Sequence, residues 1–410
     1  MKILRWLLLI LAFCIGWSGR VGPVMGQSSS SAYQLDVRPD LWYNKIDGIR
    51  LGGVVTGKEW SSIDISSHQL RAGIWLGTSL PEDPVSYFVS LKEPITSISS
   101  LGNESFIEGI SSIRAGYQQH KIKWYKQWRP ELGSSNATSL AAALFAARHF
   151  DDQYRQFPQL WQSQWISAAS LKGTFRRKNR AGRWRLTGES TVNLPFETRE
   201  FFRFHSELIH QYRFNRYFSV KNRLYFGIAT DQTATEYRWL TATASPVHWM
   251  DHGWFRARGT IPESWMGSGQ VQLVGGPHLR GYTAHTMKQL NSGMSPLYNS
   301  IGSYNVEFEF PNPLNTAFSR IPVISQFTHF TSYLFGDVGT SLGLTTNELE
   351  EYLADAGMGV RFELNIPDYL HQPRGFFIRY EMPFWVSDPL PGEDAMRVRH
   401  LVGFGTVLNL

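Results

Sequence analysis

Apolar and polar residues alternate with a period of two over much of this chain. In Leu70–Thr78 (LRAGIWLGT), Leu70, Ala72, Ile74 and Leu76 share one face of an extended strand, and Arg71, Gly73, Trp75 and Gly77 share the other. In Phe218–Ile228 (FSVKNRLYFGI), Phe218, Val220, Leu224, Phe226 and Ile228 oppose Ser219, Lys221, Arg223 and Tyr225. Val306–Phe310 (VEFEF) sets Glu307 and Glu309 against its apolar positions. Asp355–Leu364 sets Met358, Val360 and Phe362 against Gly359, Arg361 and Glu363, and Phe376–Phe384 places Arg379 and Glu381 on one side. A soluble sandwich also alternates, with its polar face toward water. Here the polar face carries charges of both signs interleaved with glycine. Charges that point into a lumen pair with one another, and glycines let neighbours pack closely. The pattern therefore predicts a barrel whose other face meets lipid. A sandwich stays open on pattern alone.

Strands are expected to begin near Gly48, Leu70, Pro84, Phe106, Lys121, Gln162, Gly182, Phe201, Tyr217, Thr235 and Trp254, and again near Ser303, Ser332, Asp355, Gly375 and Arg399. That makes sixteen, an even number, as bacterial single-chain barrels have. If some of these segments are not strands, twelve to fourteen remain. Two segments break the rhythm. Ser139–Phe157 starts with helical character, turns aromatic and charged, and is assigned to a long loop. Leu344–Ala356 opens with capping residues and glutamates, which predicts a short helix in a loop. No repeat beyond the hairpin rhythm is visible and no linker divides the chain. The expected fold class is all-β, a single transmembrane antiparallel β-barrel.

Composition agrees with this. Aromatics make up 14% of the 410 residues and charged residues 18%, below the roughly 25% of ordinary soluble domains. The mean hydropathy of −0.26 excludes a helical membrane protein. The net charge is +6 and the pI near 9.3. Basic residues are scattered, with one cluster at Phe175–Arg185 (FRRKNRAGRWR), read as a hairpin turn facing headgroups; outer-membrane lipid and lipopolysaccharide are the expected surroundings of the barrel. No nucleic-acid-binding motif accompanies the charge, so no nucleic-acid partner is expected. The single cysteine, Cys14, lies in the N-terminal apolar run, so no disulfide framework or cysteine zinc site is expected downstream.

The N-terminus reads as a secretory signal peptide over residues 1–26. Lys2 and Arg5 form its positive region, Leu7–Gly16 its apolar region, and Val24 and Gly26 the spacing of a cleavage site. No later apolar run approaches the ~18 residues of a spanning helix. The expected layout is a short periplasmic leader at 27–46 and an outer-membrane barrel domain at 47–410.

The stretch Gln270–His285 (QVQLVGGPHLRGYTAH) keeps one arginine, Arg280, among glycines and aromatics, as a loop does when it holds the arginine for a partner. From here on the chain resembles the bacterial surface-antigen superfamily of outer-membrane barrels. That superfamily includes the central subunit of the barrel assembly machine and the two-partner secretion transporters. His278–Tyr282 (HLRGY) resembles the family's Arg-Gly-aromatic loop tip, and Asn305–Pro311 (NVEFEFP) the strand after it. Leu334–Thr340 (LFGDVGT) resembles its Phe-x-Asp-x-Gly strand, and DAGMGVRFELNIP followed by GFFIRYEMPF its last hairpin region. The resemblance spans roughly Gly269–Leu410 and lies in the ordered set. Trp42–Gly53 and His149–Phe157 are also similar to barrels at the membrane end of some exported zinc aminopeptidases.

The family resemblance implies an inward-folded long loop whose arginine pairs inside the lumen. Carried over, Arg280 pairs with Asp337, with Glu307 or Glu309 as neighbours. Gly281 allows a tight turn beside Tyr282, and Gly339 lets the loop approach the wall. A planar guanidinium favours two-pronged pairing with a carboxylate. The plain alternative is a solvated loop arginine. In the last strand, Gly405, Leu408 and Leu410 match the spacing by which such barrels are recognised by the barrel assembly machinery; the family usually ends in an aromatic, and this chain ends in Leu410. The resemblance implies protein transport or insertion, or anchorage of an exported peptidase or other periplasmic partner. A simple pore or structural barrel is the alternative.

No histidine is followed by glutamate, so the His-Glu-x-x-His zinc motif is missing. His205 and His210 lie five apart in a strand-like stretch and point to opposite faces. Gly339–Gly343 (GTSLG) matches the nucleophile-elbow pattern at Ser341, but its strand-helix surroundings are missing, and the glycines suit a strand end. A membrane-associated hydrolase is therefore the least favoured reading. No catalytic residue, metal ligand or cofactor is expected.

Overall fold

The computed structural model describes residues 33–59, 68–131, 134–195, 200–251, 257–292, 296–318, 328–344, 352–364 and 376–406. Eleven strands follow one another: β1 (Tyr33–Asn44), β2 (Gly48–Glu59), β3 (Gln69–Gly77), β4 (Val85–Pro94), β5 (Ser105–Arg114), β6 (Tyr117–Trp128), β7 (Ala137–His149), β8 (Ile166–Asn179), β9 (Gly182–Asn193), β10 (Phe202–Arg213) and β11 (Ser219–Ala229). A long excursion then holds the short β12 (Trp239–Leu240), β13 (Val271–Leu273) and β14 (Leu297–Tyr298). The wall resumes with β15 (Ser300–Pro311), β16 (Thr328–Ser341), β17 (Tyr352–Leu364), β18 (Phe376–Val386) and β19 (Leu401–Thr406).

Each wall strand pairs antiparallel with the next, and β11 crosses the excursion to pair with β15. The wall thus has sixteen antiparallel strands among the described residues. The total equals the expected sixteen, but through two omissions and two surplus strands. The strand expected at Thr235 is a single 3-10 turn inside the excursion, and the one at Trp254 lies outside the described residues. The two omitted strands are β1 and β7. β1 occupies most of the segment assigned to a periplasmic leader, so the wall begins at Tyr33, before residue 47.

The long loop assigned to Ser139–Phe157 is in fact strand β7 up to His149. Its alanines favour a helix by intrinsic propensity, yet small residues also suit a strand packed against a filled lumen. Ala143 and Ala147 point inward and are buried, while Leu144 between them points out and is 54% exposed. The helix expected at Leu344–Ala356 lies mostly outside the described residues, but Tyr352–Ala356 belongs to strand β17.

The two faces differ as the alternation requires. On β16, Leu334 and Val338 are 45% and 44% exposed, while Tyr333, Phe335 and Asp337 between and beside them are buried. On β15, Tyr304 and Phe308 face out, and Ser303, Asn305, Glu307 and Glu309 face in. An exposed apolar belt around a charged interior is the signature of a barrel in lipid. Inside, glycines make room for rings lying flat on the wall: a Cβ on Gly359 would come within 2.7 Å of the Tyr333 ring. Trp75 lies over Gly73 and donates to Asp40 Oδ2 at 2.7 Å.

The excursion between β11 and β15 turns into the barrel and supplies most of its core. It carries α1 (Pro246–Asp251), α2 (Glu263–Gly267) and α3 (Thr283–Asn291). Trp249, Met266, Val271, Met287 and Leu290 from this loop pack on Phe157 and Leu160 from the β7–β8 connection. Among the described residues no ladder joins β1 to β19. Instead β13 pairs in parallel with β19 from the inside, Gln272 opposite Gly403.

The outward belt makes a direct prediction. Leu334→Arg lowers the folding free energy in lipid vesicles by about 2–4 kcal/mol at mid-depth, measured by denaturant titration. An unchanged midpoint would mean that this face is not in hydrocarbon.

Candidate functional site: a loop arginine clamped inside the barrel

The excursion reaches its site through two left-handed residues, Gly276 (φ 60°) and His278 (φ 61°). They fold the chain back so that Leu279 lies against the wall and Arg280 points between strands. A Cβ on Gly339 would come within 3.0 Å of the Leu279 methyl carbons, so the wall is bare where the loop touches it. Gly281 has an ordinary negative φ; its role is close approach. A Cβ there would meet Val386 Cγ1 at 2.6 Å and Asp355 Cβ at 2.8 Å. Tyr282 is buried and its hydroxyl bonds with Ala354 O at 3.2 Å and Ser387 Oγ at 2.9 Å.

Arg280 is 1% exposed. Its Nε and Nη2 donate to the two oxygens of Asp337, each at 2.7 Å, the two-pronged pairing a planar fork allows. Its Nη1 donates to Glu307 Oε1 at 2.9 Å and to Glu381 Oε1 at 3.0 Å. The guanidinium also lies 3.9 Å from the centre of the Phe335 ring. Burial opposes the charge, but the carboxylates of Asp337, Glu381 and Glu307 hold Arg280 protonated well above its ordinary range. His278 is pushed well below the ordinary histidine value by burial and by the guanidiniums of Arg280 and Arg379, so it sits neutral at pH 7.

Three carboxylates around one guanidinium would leave excess negative charge. The neighbouring strands supply the balance. Arg379 donates to Glu307 Oε1 at 3.0 Å and lies 3.6 Å from Glu381. Arg361 donates to Glu309 at 2.7 Å and Glu363 at 2.7 Å and reaches Glu307 at 3.5 Å. Tyr333 donates to Glu381 at 2.7 Å, and Asn305 to Asp337 at 3.0 Å. The result is one continuous polar network across β15, β16, β17 and β18, closed by the loop.

Of the residues singled out in the sequence, Arg280, Asp337 and Glu307 meet directly. Glu309 does not touch Arg280; it accepts from Arg361, Ser219 and Gln211. Gly405 packs under Phe377 across the β18–β19 ladder, while Leu408 and Leu410 lie outside the described residues. The alternation in sequence sets Arg379 and Glu381 on one side of their strand and Arg361 opposite the apolar positions of its own, but does not join them to the arginine. Strand alternation gives the face of a charge, whereas its partner depends on the register of strands far apart in sequence. Elsewhere, His205 faces the interior, 3.9 Å from Glu189, and His210 faces out, stacked on Trp184. Ser341 ends β16 in ladder with Ile301.

No family model matches the chain, and no curated protein sequence matches it. Among solved structures it is similar to BamA from Haemophilus ducreyi lacking POTRA domains 1-3, at 10% identity and a TM-score of 0.45, covering 90% of this chain and 69% of that one. It is also similar to CdiB from Escherichia coli, at 12% identity and a TM-score of 0.39, covering 92% of this chain and 63% of CdiB. A bacterial polysaccharide outer membrane secretin aligns over 91% of this chain and 94% of its own, at 8% identity and a TM-score of 0.38.

Removing one partner from a buried ion pair strands the other without solvent. Arg280→Ala and Asp337→Ala are each expected to lower stability by about 3–5 kcal/mol. The double variant should be little worse than either, because the two side chains act as a unit. Unfolding titrations of the three variants in detergent test this; additive losses would mean that the pair is not coupled.

Proposed function

We propose that this chain is an outer-membrane barrel of the surface-antigen type. In this reading it acts in protein transport or membrane insertion, or anchors a periplasmic or surface partner such as an exported peptidase. The single observation that carries the reading is the inward loop whose Arg280 is held by carboxylates from β15, β16 and β18. A loop bound this firmly is a plug with a defined seat. An open pore gains nothing from filling its lumen with an aromatic core. The apolar belt takes lipid and lipopolysaccharide as its surroundings. The spacing of Gly405, Leu408 and Leu410 in the sequence is the signal offered to the barrel assembly machinery. The 70-residue span of the excursion, residues 230–299, suits the outer side of the membrane, where such barrels carry their long loops. No catalytic step, metal or cofactor is assigned to the barrel.

Single-channel recording in planar bilayers tests the plug. The native protein should conduct little, and Arg280→Ala should raise open probability and conductance because the loop loses its seat. Equal, large conductance in both would favour the simple pore. Heat-modifiable gel migration of outer-membrane fractions tests the location, and recovery of the native protein in the soluble fraction would overturn the reading.

A further inference from the structure

A second feature lies below the clamped arginine, at the end of the barrel where β1 starts and β19 finishes. Because the wall strands alternate in direction, the β8–β9 and β10–β11 turns sit at this same end. Above them a cavity of ≈ 400 Å³ opens in the lumen. Five of its lining cations come from β9, β10 and β11: Arg183, Arg185, Arg213, Lys221 and Arg223. Arg361 and Arg379 line the far side, against the carboxylates of Glu207, Glu307, Glu309 and Glu363. Seven cations therefore face four carboxylates, and the carboxylates are already engaged. Glu207 is shared by Arg185 and Arg223, at 3.2 and 3.3 Å. Glu307, Glu309 and Glu363 are held by Arg280, Arg361 and Arg379. Lys221 comes no nearer than 3.8 Å to Glu307, and Arg183 and Arg213 have no ion pair among the described residues.

The charge continues outward along the chain. Residues 175–185 and 211–223 together hold ten lysines and arginines and no aspartate or glutamate. Arg177, Lys178 and Arg180 stand exposed at the rim on one turn, and Arg216 on the other. The cations thus form a track, from rim to Arg183 and Arg213 to Lys221, rather than a convergent cup. A compact phosphate needs convergence; a track suits an extended anionic chain. The inner members cannot serve the bilayer, because their strand neighbours Trp184 and Tyr212 take the outward face and they take the inward one. Exposed rings occur at this end, Phe175 and Tyr212 on the outward face and Phe214 and Tyr217 on the β10–β11 turn. The cavity itself is lined by one phenyl ring, Phe377, which is buried, so the inner track offers no stack for bases and single-stranded nucleic acid is disfavoured.

We propose that this vestibule is a docking site for an acidic, extended polypeptide segment entering from the end of the barrel where β1 starts and β19 finishes. Arg183 and Arg213 bind its carboxylates, and the rim arginines steer it in. The proposal rests on the charge and shape of this end alone, and it stands whichever role the barrel has.

The test uses the full chain folded in detergent and a fluorescein-labelled octaglutamate peptide, followed by fluorescence anisotropy. The native protein should bind the peptide, and binding should weaken as salt rises from about 0.05 to 0.3 M. Arg183→Glu with Arg213→Glu should weaken it by about tenfold or more, since each reversal replaces attraction by repulsion. Arg177→Glu with Arg180→Glu changes the same number of charges outside the cavity lining and should weaken it by less than about threefold. Arg183→Lys with Arg213→Lys should retain binding within about threefold. Heat-modifiable migration checks that each variant is folded, and Arg183→Gln with Arg213→Gln replaces the reversal pair if that pair misfolds. Monomeric dihexanoyl-phosphatidylglycerol, as a competitor, should not displace the peptide. No binding by the native protein, equal losses at rim and vestibule, or displacement by the lipid would each overturn the proposal.

Discussion

A guanidinium inside a membrane barrel is the constraint on which the rest of this structure turns. Withdrawing a charge from water costs several kcal/mol even after relaxation. Arg280 is withdrawn almost completely, so the wall must return what water supplied. It does so with carboxylates from three separate strands, and each of those takes a further donor of its own: Asn305 for Asp337, and arginines or Tyr333 for Glu307 and Glu381. Arg361, Arg379 and Tyr333 follow from that requirement, as does the inward face of β15 to β18. The polar ladder on the last strands is one interlocked set with the loop as its final member.

That set explains why the lumen has a solid core. Once the loop is pinned at Arg280, the segments on either side of it must lie inside the wall. Their apolar side chains then collapse on one another and on the β7–β8 connection. β13 reaches the inner edge of β19, where it takes ladder positions that no other described strand fills. The glycines complete the fit. Gly281 lets the loop backbone close on the Val386 and Asp355 side chains, Gly339 leaves room on the wall for Leu279, and Gly359 and Gly405 let Tyr333 and Phe377 lie flat against the wall. A barrel packed this way is apolar outside, ionic in its inner layer and apolar again at its centre.

The same interior divides its charges unequally. Around Arg280 positive and negative groups are matched and buried, which fixes position. Toward the end where β1 starts and β19 finishes the lining cations outnumber the carboxylates, and Arg183 and Arg213 have no carboxylate partner among the described residues. Matched charge holds a structure together, whereas unmatched charge attracts something else. One stretch of lumen therefore serves as a lock and the next presents a field.

The sequence by itself determined the wall. A period of two in Leu70–Thr78, Val306–Phe310 and Phe376–Phe384 decides which side chain faces in and which faces out, because successive residues of a strand point to opposite faces. It also separated His205 from His210 and put Arg379 beside Glu381. It was misleading where composition competes with pattern. The alanine run of β7 read as helical, and β1 was hidden in a polar leader, since a strand's stability comes from neighbours the chain meets only when folded. The clamp is the opposite case. The motif around Arg280 and Asp337 could be picked out one residue at a time, but Glu381 joins it across 101 positions of sequence, and Glu309 turns away to Arg361. Only the register of sixteen strands and the path of the loop decide such partners, because a buried charge pairs with whatever packing brings within about 3 Å.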